Sequence, residues 1–389
     1  MIAGRAYFDH AATTPLRAEA LEAMLPFLSG EFANPSGAHA ESRRARVALD
    51  DAREQVAELL GVGPGGIVLT SGGTEADDLA VHGGWEAASD GRATDGPAAV
   101  VCAAMEHHAV LEACRALARH SGAELRTVAT RPDGRVDLDA LAVACDQRVR
   151  LVSVMAVNNE LGTVQPVGQV AGLVAERSPG AVVHSDAVQA VPWLDVVGVT
   201  GAVDLVSVSA HKFGGPKGSG ALVLRGAAGV RPRIAGGGQE RGRRSGTPNV
   251  AGAVGMAAAL AATVAGRETE SVRVATLRDR LGDGLAARVP GLVESGRRAD
   301  RAAGFLHLRV EGVEAESLVL LLDEAGIAVS AGAACSSGAV EPSHVLASMG
   351  LDPGAARSGV RFSLGVTTTG EDVDHALAVV PGVVERLRN

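Results

Sequence analysis

Residues 203–225 read VDLVSVSAHKFGGPKGSGALVLR. The first part is a short run rich in Val, Leu and Ser, and GALVLR resumes the pattern after a glycine-rich turn. Apolar runs of this length, bounded by Gly and Pro, read as strands buried on both faces. Between them stand Ser209, His211 and Lys212. In open α/β sheets, ligands sit beyond the carboxyl ends of the strands, so this is where chemistry is expected. The stretch also holds both lysines of the chain, Lys212 and Lys217, although Lys and Arg together number 36. A coding bias toward arginine explains why lysines are rare, but not where the survivors sit. A lysine fixed at a strand end inside a pocket loses its proton more easily and attacks an aldehyde as an amine, which a guanidinium cannot do. Lys217, in the turn GGPKGSG, is read as a loop residue.

Outward from this stretch the same pattern recurs. GIVLT (66–70), AAVVCA (98–103), RLVSVMAV (150–157) and GAVVHSD (180–186) read as further buried strands. Helical patterns fill most gaps, among them EADDLAVHGGWEAA and HAVLEACRALARHSG. Before them, residues 41–60 place Ala45, Ala48, Leu49, Ala52, Val56 and Leu59 on one helical face, and Gly61 stops the helix. Strands separated by helices imply right-handed crossovers and a mostly parallel sheet covered by helices. Near residue 265 the pattern changes. GFLHLRVEG, the helix EAESLVLLLDEAG, IAVSAGAACSSG and a terminal helix form a smaller α+β unit. A chain of 389 residues is long enough for two such units.

Composition excludes several classes of function. A net charge of −9, with one short basic cluster at 240–246, gives no nucleic-acid surface. The four cysteines, Cys102, Cys114, Cys145 and Cys335, lie far apart without a CxxC pair, so neither a resident metal site nor a disulfide framework is expected, and a reducing cytoplasm fits best. The N-terminus carries no secretory h-region. Residues 245–266 are free of charge over a membrane-spanning length, but they are mostly Ala and Gly and open with Ser, Gly, Thr, Pro and Asn. Such composition inserts weakly, and a buried helix with no membrane contact is the reading adopted.

Four further strand ends carry polar residues. Ser71, Gly72, Gly73 and Thr74 join a strand to a helix and offer N–H groups, hydroxyls and a helix dipole to an anion such as phosphate. The same letters also read as a plain capped start, Thr74 as N-cap with Asp77 three residues on. Asp186 ends another strand as a carboxylate or as a helix cap. His107 and His108 follow AAVVCA, positioned to stack on a ring and shuttle protons or simply to fill a surface. Asn158, Asn159 and Glu160 close a fourth strand, as substrate contacts or as turn residues. Together, a phosphate cup, an acid and a lysine are what pyridoxal phosphate demands: an anchor, a partner for the pyridine nitrogen and a Schiff-base amine. In the small unit, Cys335 lies among small residues as a buried thiol or as a thiolate able to enter and leave the pocket. Arg361, in GVRFSLG, is a carboxylate clamp or the partner of a structural acid.

The motifs FDHAATTP (8–15), TSGGTEADDLAV (70–81), EHHAV (106–110), VNNELGTVQP (157–166), HSDAVQA (184–190), SAHKFGGPKGSGAL, GGGQERGRRSGTPN (236–249), EAESL, SAGAACSSGAVEPSHVL and VRFSLG occur in one order along nearly the whole chain. In that order the chain resembles a cysteine desulfurase of the bacterial housekeeping and nitrogen-fixation group, within the class-V aminotransferases. The resemblance implies the fold type I architecture of pyridoxal-phosphate transferases. Residues 16–265 would form the large cofactor-binding domain, and 1–15 with 266–389 the small domain carrying the catalytic cysteine. It implies that Lys212 is the Schiff-base lysine, that Asp186 pairs the pyridinium nitrogen and that Gln189 contacts the ring hydroxyl. Gly73, Thr74, Ser209 and His211 would hold the phosphate, joined by Thr247 from the partner subunit of a homodimer. His107 would stack on the ring, Asn159 and Arg361 would receive the carboxylate of L-cysteine, and Cys335 would take its sulfur as a persulfide. The family often carries His where this chain has Ala156, so any role of that side chain is absent.

The implied sulfur acceptors are an iron–sulfur scaffold or a tRNA-thiolation enzyme, and Cys335 is the one residue left open as a transient cluster ligand. A selenocysteine lyase, another pyridoxal-phosphate enzyme and a non-catalytic sulfur-relay scaffold are the competing expectations.

Overall fold

The structure, a computed structural model, describes residues 5–332 and 342–389. Its strands are β1 (Ala6–Tyr7), β2 (Ile67–Thr70), β3 (Ala99–Ala103), β4 (Glu124–Val128), β5 (Val149–Ser153), β6 (Val182–Asp186), β7 (Leu205–Ser209), β8 (Gly220–Leu224), β9 (Leu292–Glu294), β10 (Phe305–Val310), β11 (Ile327–Ala328), β12 (Ser330–Ala331) and β13 (Gly359–Ser363). A seven-stranded sheet runs in the order β2-β8-β7-β6-β5-β3-β4. Strands β4, β3, β5, β6 and β7 are parallel neighbours, joined through helices on the sheet faces. Only β8 runs against its neighbours β7 and β2. The link from β7 to β8 is the glycine-rich turn 210–219, too short for the crossover that parallel strands need.

Every residue of β3, β5, β7 and β8 is buried, as the unbroken Val and Leu runs predict. Strand β4 was not anticipated: its sequence ELRTV alternates polar and apolar residues and stays half exposed at the sheet edge. From β3 the chain steps outward to β4, then returns past β3 to lay down β5, β6 and β7. That reversal between β3 and β5 is a switch point, which opens a crevice at the carboxyl ends of these strands.

The charge-free stretch and the Arg/Glu-rich one that follows form a single 37-residue helix, Val250–Ala286. Its first half packs on the helices Ala18–Leu28 and Ala40–Leu59. Close approach depends on small residues: a Cβ at Gly255 would lie 2.5 Å from Met24. Residue 265, where the two domains were expected to divide, lies inside this helix, which runs on through Gly266 without a break.

Beyond the helix, a four-stranded antiparallel sheet has the order β12-β13-β10-β9. The N-terminal strand β1 pairs in parallel with β11, so residues 5–9 belong with the C-terminal half. The terminal helix Gly370–Arg388 begins with a reciprocal Thr369–Asp372 capping box and packs on Val250–Ala286 and on Ala315–Glu324.

Candidate functional site

Three of the expected groups stand at the carboxyl ends of β6, β7 and β3. Asp186 is the last residue of β6, and Lys212 ends the 3-10 turn Ala210–Lys212 directly after β7. His107 caps the helix that follows β3, its Nδ1 accepting the N–H of Ala109 at 3.1 Å. The Nζ of Lys212 donates to the carbonyl oxygens of Ala11 and Ala12 at 2.6 and 2.8 Å. Gln189 also donates to Ala11, at 2.8 Å. The segment AATT of the N-terminal motif is thus held against the strand ends from both sides.

Asp186 is buried, and its Oδ1 accepts the N–H of Val188 at 2.8 Å. Burial pushes its carboxyl up to about 6, while the Val188 hydrogen bond and the charge of Lys212 pull it down. The imidazole of His107 is lowered to about 4, by burial first and by Lys212 second. His211, whose Nδ1 lies 3.1 Å from Thr13 Oγ1, is lowered to about 4 for the same two reasons. Both histidines are therefore neutral at pH 7 and present ring faces and lone pairs rather than charge.

The phosphate cup differs from the capped-helix reading. The N-cap of the helix Gly73–Asp78 is Gly72, not Thr74, and no side chain caps it. Gly72 has φ +154° and ψ −173°, a conformation essentially restricted to glycine. A Cβ at Gly73 would lie 2.8 Å from Val188 Cγ2 and 3.4 Å from Ser209 Cβ, so Gly73 and Ser209 face each other across a tight space. The first-turn N–H groups have no intrahelical acceptor and point outward with the helix dipole. Asp77 is no capping residue either; it is buried against β6 and β7.

At the other end of the crevice, Arg361 on β13 donates from Nη1 to the backbone oxygen of Asn159 at 2.7 Å and from Nη2 to Asp9 at 2.8 Å. Its Nε and the Oδ1 of Asn159 are buried with no partner among the described residues. Arg361 and Asn159 are thus brought together, each with a polar atom left over. Thr247 is exposed and lines a separate cavity with Thr70, Ser71, Gly218 and Arg244, which includes none of His107, Asp186 and Lys212. Lys217 is exposed in the turn before β8. Cys335 lies outside the described residues, whereas Cys102, Cys114 and Cys145 are buried.

Sequence reasoning missed a polar layer beneath the site. His184, two residues before Asp186 on the same face of β6, sits between Ser153 Oγ of β5 at 2.8 Å and Ser207 Oγ of β7 at 2.9 Å. Asp77 lies 3.6 Å from its Nε2. Burial drives His184 down to about 3 and drives Asp77 upward, with Asp186 adding to the latter. Glu106 is also fully buried and pushed up by burial, then by Asp186; its Oε1 accepts the N–H of Met155 at 2.7 Å. The period-2 spacing of His184 and Asp186 was the signal that could have found this layer.

These residues fit pyridoxal phosphate on three observations. A glycine cradle, which a Cβ at Gly73 would fill, stands at a helix start. Asp186 is buried deeply enough to need a cationic neighbour to ionise fully. At the far end, the Nε–H of Arg361 has no partner among the described residues and can donate to a carboxylate.

Residues 6–376 match the aminotransferase class-V family. An IscS-like cysteine desulfurase of Mycobacterium tuberculosis is 44% identical over 388 residues, covering 98% of this chain and 97% of that one. A cysteine desulfurase of Cereibacter sphaeroides is 45% identical over 385 residues, covering 99% and 97%. Among solved structures, a NifS-like protein superposes with a TM-score of 0.90 at 34% identity, over 98% of this chain and all of that one. SspA in complex with cysteine gives 0.77 at 30% identity, over 93% and 99%.

Proposed function

The chain belongs to the aminotransferase class-V family and is a pyridoxal-phosphate-dependent cysteine desulfurase, and on that premise we propose a role for each side chain of its site. The observation that carries the assignment is the convergence of Lys212, Asp186 and His107 at the carboxyl ends of β7, β6 and β3 around one switch-point crevice. When bound, the cofactor supplies an aldehyde for Lys212 and an electron-accepting ring beside the α-carbon of the substrate. Gly73, Thr74, Ser209 and His211 hold its phosphate, and Thr247 reaches the phosphate of a second subunit. Asp186 would keep the pyridine nitrogen protonated, Gln189 would hold the ring hydroxyl, and His107 would offer the ring a neutral face.

Arg361 takes the carboxylate of L-cysteine, with its buried Nε–H, unpartnered among the described residues, free to donate to it, and Asn159 contributes the N–H donors of its side-chain amide. The freed amine of Lys212 removes the α-proton. The Cys335 thiolate then attacks the substrate sulfur: an S–S bond forms, the carbon–sulfur bond breaks, and the displaced carbon ends protonated as L-alanine. The products are alanine and a persulfide on Cys335, with no external oxidant. Mass spectrometry after exposure to cysteine without reductant should find one added sulfur on the Cys335 peptide. Sulfur on another cysteine would refute this assignment.

The homodimer is supported by one surface feature. Leu21, Leu25, Leu28 and Phe32 are 46, 53, 61 and 78% exposed along the helix Ala18–Leu28 and just beyond it, an apolar stripe whose extent suits a subunit contact. Sulfur would pass from Cys335 to an iron–sulfur scaffold or a tRNA-thiolation enzyme in the cytoplasm. Capture of acceptors by persulfide-charged protein, set against the Cys335→Ser variant, tests that destination.

A further inference from the structure

Glu160, in the turn after β5, is buried and plays no part in the assignments above. Its backbone is rigidly placed: Asn158 Oδ1 accepts the N–H groups of Glu160 and Leu161 at 3.0 and 2.9 Å, and Asn158 Nδ2 donates to Met105 at 3.1 Å. One oxygen of its carboxyl, Oε2, meets two distant parts of the chain. It accepts the hydroxyl of Ser343 at 2.6 Å. It also lies against Gly332, so closely that a Cβ there would stand 2.5 Å away. Residues 332 and 343 are the two ends of the stretch that contains Cys335.

Both ends are otherwise secured on separate elements. Gly332 follows β12, which pairs with β13 beside Arg361. Ser343 caps the helix His344–Ser348 through the N–H of Leu346, and His344 Nε2 lies 2.9 Å from the backbone oxygen of Glu106. The next residue before Glu160 is Asn159, whose oxygen accepts from Arg361. A single buried carboxyl oxygen thus bonds one end of the cysteine-bearing stretch and packs against the other, next to the turn that faces the expected substrate carboxylate.

We propose that Glu160 is a positioning residue for sulfur transfer: through Oε2 it joins residues 332 and 343 to the 158–161 turn and so sets where Cys335 is delivered relative to Asn159 and Arg361. The proposal rests on the reading of Cys335 as the sulfur acceptor. Burial holds this carboxyl up at about 7, with the Ser343 hydroxyl and Arg361 pulling down, so a neutral amide of the same shape is a fair substitute. Glu160→Gln retains an oxygen that can accept from Ser343, whereas Glu160→Ala removes the junction.

The test uses the holoenzyme and three variants that disturb the junction from different sides: Glu160→Ala, Ser343→Ala and Gly332→Ala, with Glu160→Gln as the conservative control. The first readout is the iodoacetamide reaction rate of Cys335, followed by mass spectrometry; Cys102, Cys114 and Cys145 are buried and give little background. The second is single-turnover appearance of the persulfide against cysteine concentration. Removing the Ser343 hydrogen bond, or crowding Oε2 with a methyl at residue 332, should change the Cys335 alkylation rate and slow persulfide formation about ten-fold in the three disrupting variants, with the half-saturating cysteine concentration unchanged and Glu160→Gln near wild type. Wild-type alkylation and persulfide rates in both Ser343→Ala and Gly332→Ala would overturn the proposal. So would a parallel loss of cysteine affinity, which marks general damage to the site. If the wild-type persulfide forms elsewhere than on Cys335, the underlying reading fails, while the alkylation contrast still decides whether Glu160 controls this stretch.

Discussion

Replacing Asp186 by Asn should make the cofactor-free protein more stable and the enzyme nearly inactive. The carboxyl is buried and displaced from 3.8 to about 6, by burial above all. A folded-state value raised above the unfolded one means stability that is present at low pH and lost as pH rises from about 4 through about 6. Above pH 6 the native carboxylate therefore carries a penalty of about 3 kcal/mol relative to a neutral side chain, from a displacement of about two pH units. Asn keeps an oxygen for the Val188 N–H at 2.8 Å and loses only the charge. It also removes a charge that raises Asp77 and Glu106, which acts in the same direction. Urea unfolding of cofactor-stripped protein should show the variant more stable by up to about 3 kcal/mol at pH 8, with the difference closing near pH 4. Cysteine turnover should meanwhile fall severely, because nothing then keeps the pyridine nitrogen protonated. An offset equal at both pH values, or a variant less stable at pH 8, would refute the electrostatic reasoning. Near-normal turnover would show that Asp186 serves only to hold the Val188 N–H.

Lys212→Ala should leave a folded protein unable to consume cysteine, whereas Lys217→Arg should behave as wild type; borohydride reduction and peptide mapping should place the cofactor adduct on Lys212, and an adduct on Lys217 would reverse the assignment. Cys335→Ser should still bind cysteine, seen as a change in the cofactor spectrum, but release essentially no alanine, since a serine oxygen is a far weaker nucleophile than a thiolate; alanine at the wild-type rate would refute that role. His307 is fully buried, neither ring nitrogen finds a partner among the described residues, and burial lowers it from 6.5 to about 3. A lowered histidine loses stability as pH falls from 6.5 toward 3, so the advantage of His307→Leu should grow by about 2 kcal/mol between pH 6.5 and pH 5 in denaturant titrations; a constant offset would show that packing, not protonation, decides it.

What the sequence made legible followed from strong local signals. Runs such as LVSVS and AVVCA can bury two faces and little else, so the parallel core of the sheet was readable, and with it the strand ends where Asp186 and Lys212 stand. The helix 40–59 was readable from its apolar spacing, and the structure buries Ala45, Leu49, Ala52 and Val56 as expected. Signals that depend on tertiary neighbours were not readable. Strand β4 is stabilised by pairing with β3, not by its own half-polar pattern. The choice between a phosphate cup and a Thr74-capped helix stayed open because the cap is a glycine, Gly72, in an unusual conformation that the letters Thr74 and Asp77 do not announce. The joining of the two helical stretches at residue 265 was hidden because a change in composition is not a change in backbone.

The polar layer beneath the site was illegible for a further reason, and it bears on how the enzyme works. Asp77 and Glu106 carry no chemical signal in sequence, but the fold buries them with Glu160 and Asp186 around one crevice and raises all four. Four ionised carboxylates could not share that volume without cationic partners, and the described ones nearby are Lys212 and Arg361, the groups assigned to cofactor and substrate. Burial pushes Asp77 and Glu106 toward their neutral forms and keeps the His184 ring uncharged, so this floor adds little charge beneath Asp186, the acid poised to ionise against the pyridine nitrogen. Isosteric changes should then fall in an order: Asp77→Asn and Glu106→Gln, which mimic the neutral acids, should leave the pH profile of cysteine turnover nearly unmoved, while Asp186→Asn nearly abolishes turnover. A profile displaced by a full pH unit in either of the first two variants would mean that the floor carries charge, and that the tuning of Asp186 is shared among three acids instead of resting on one.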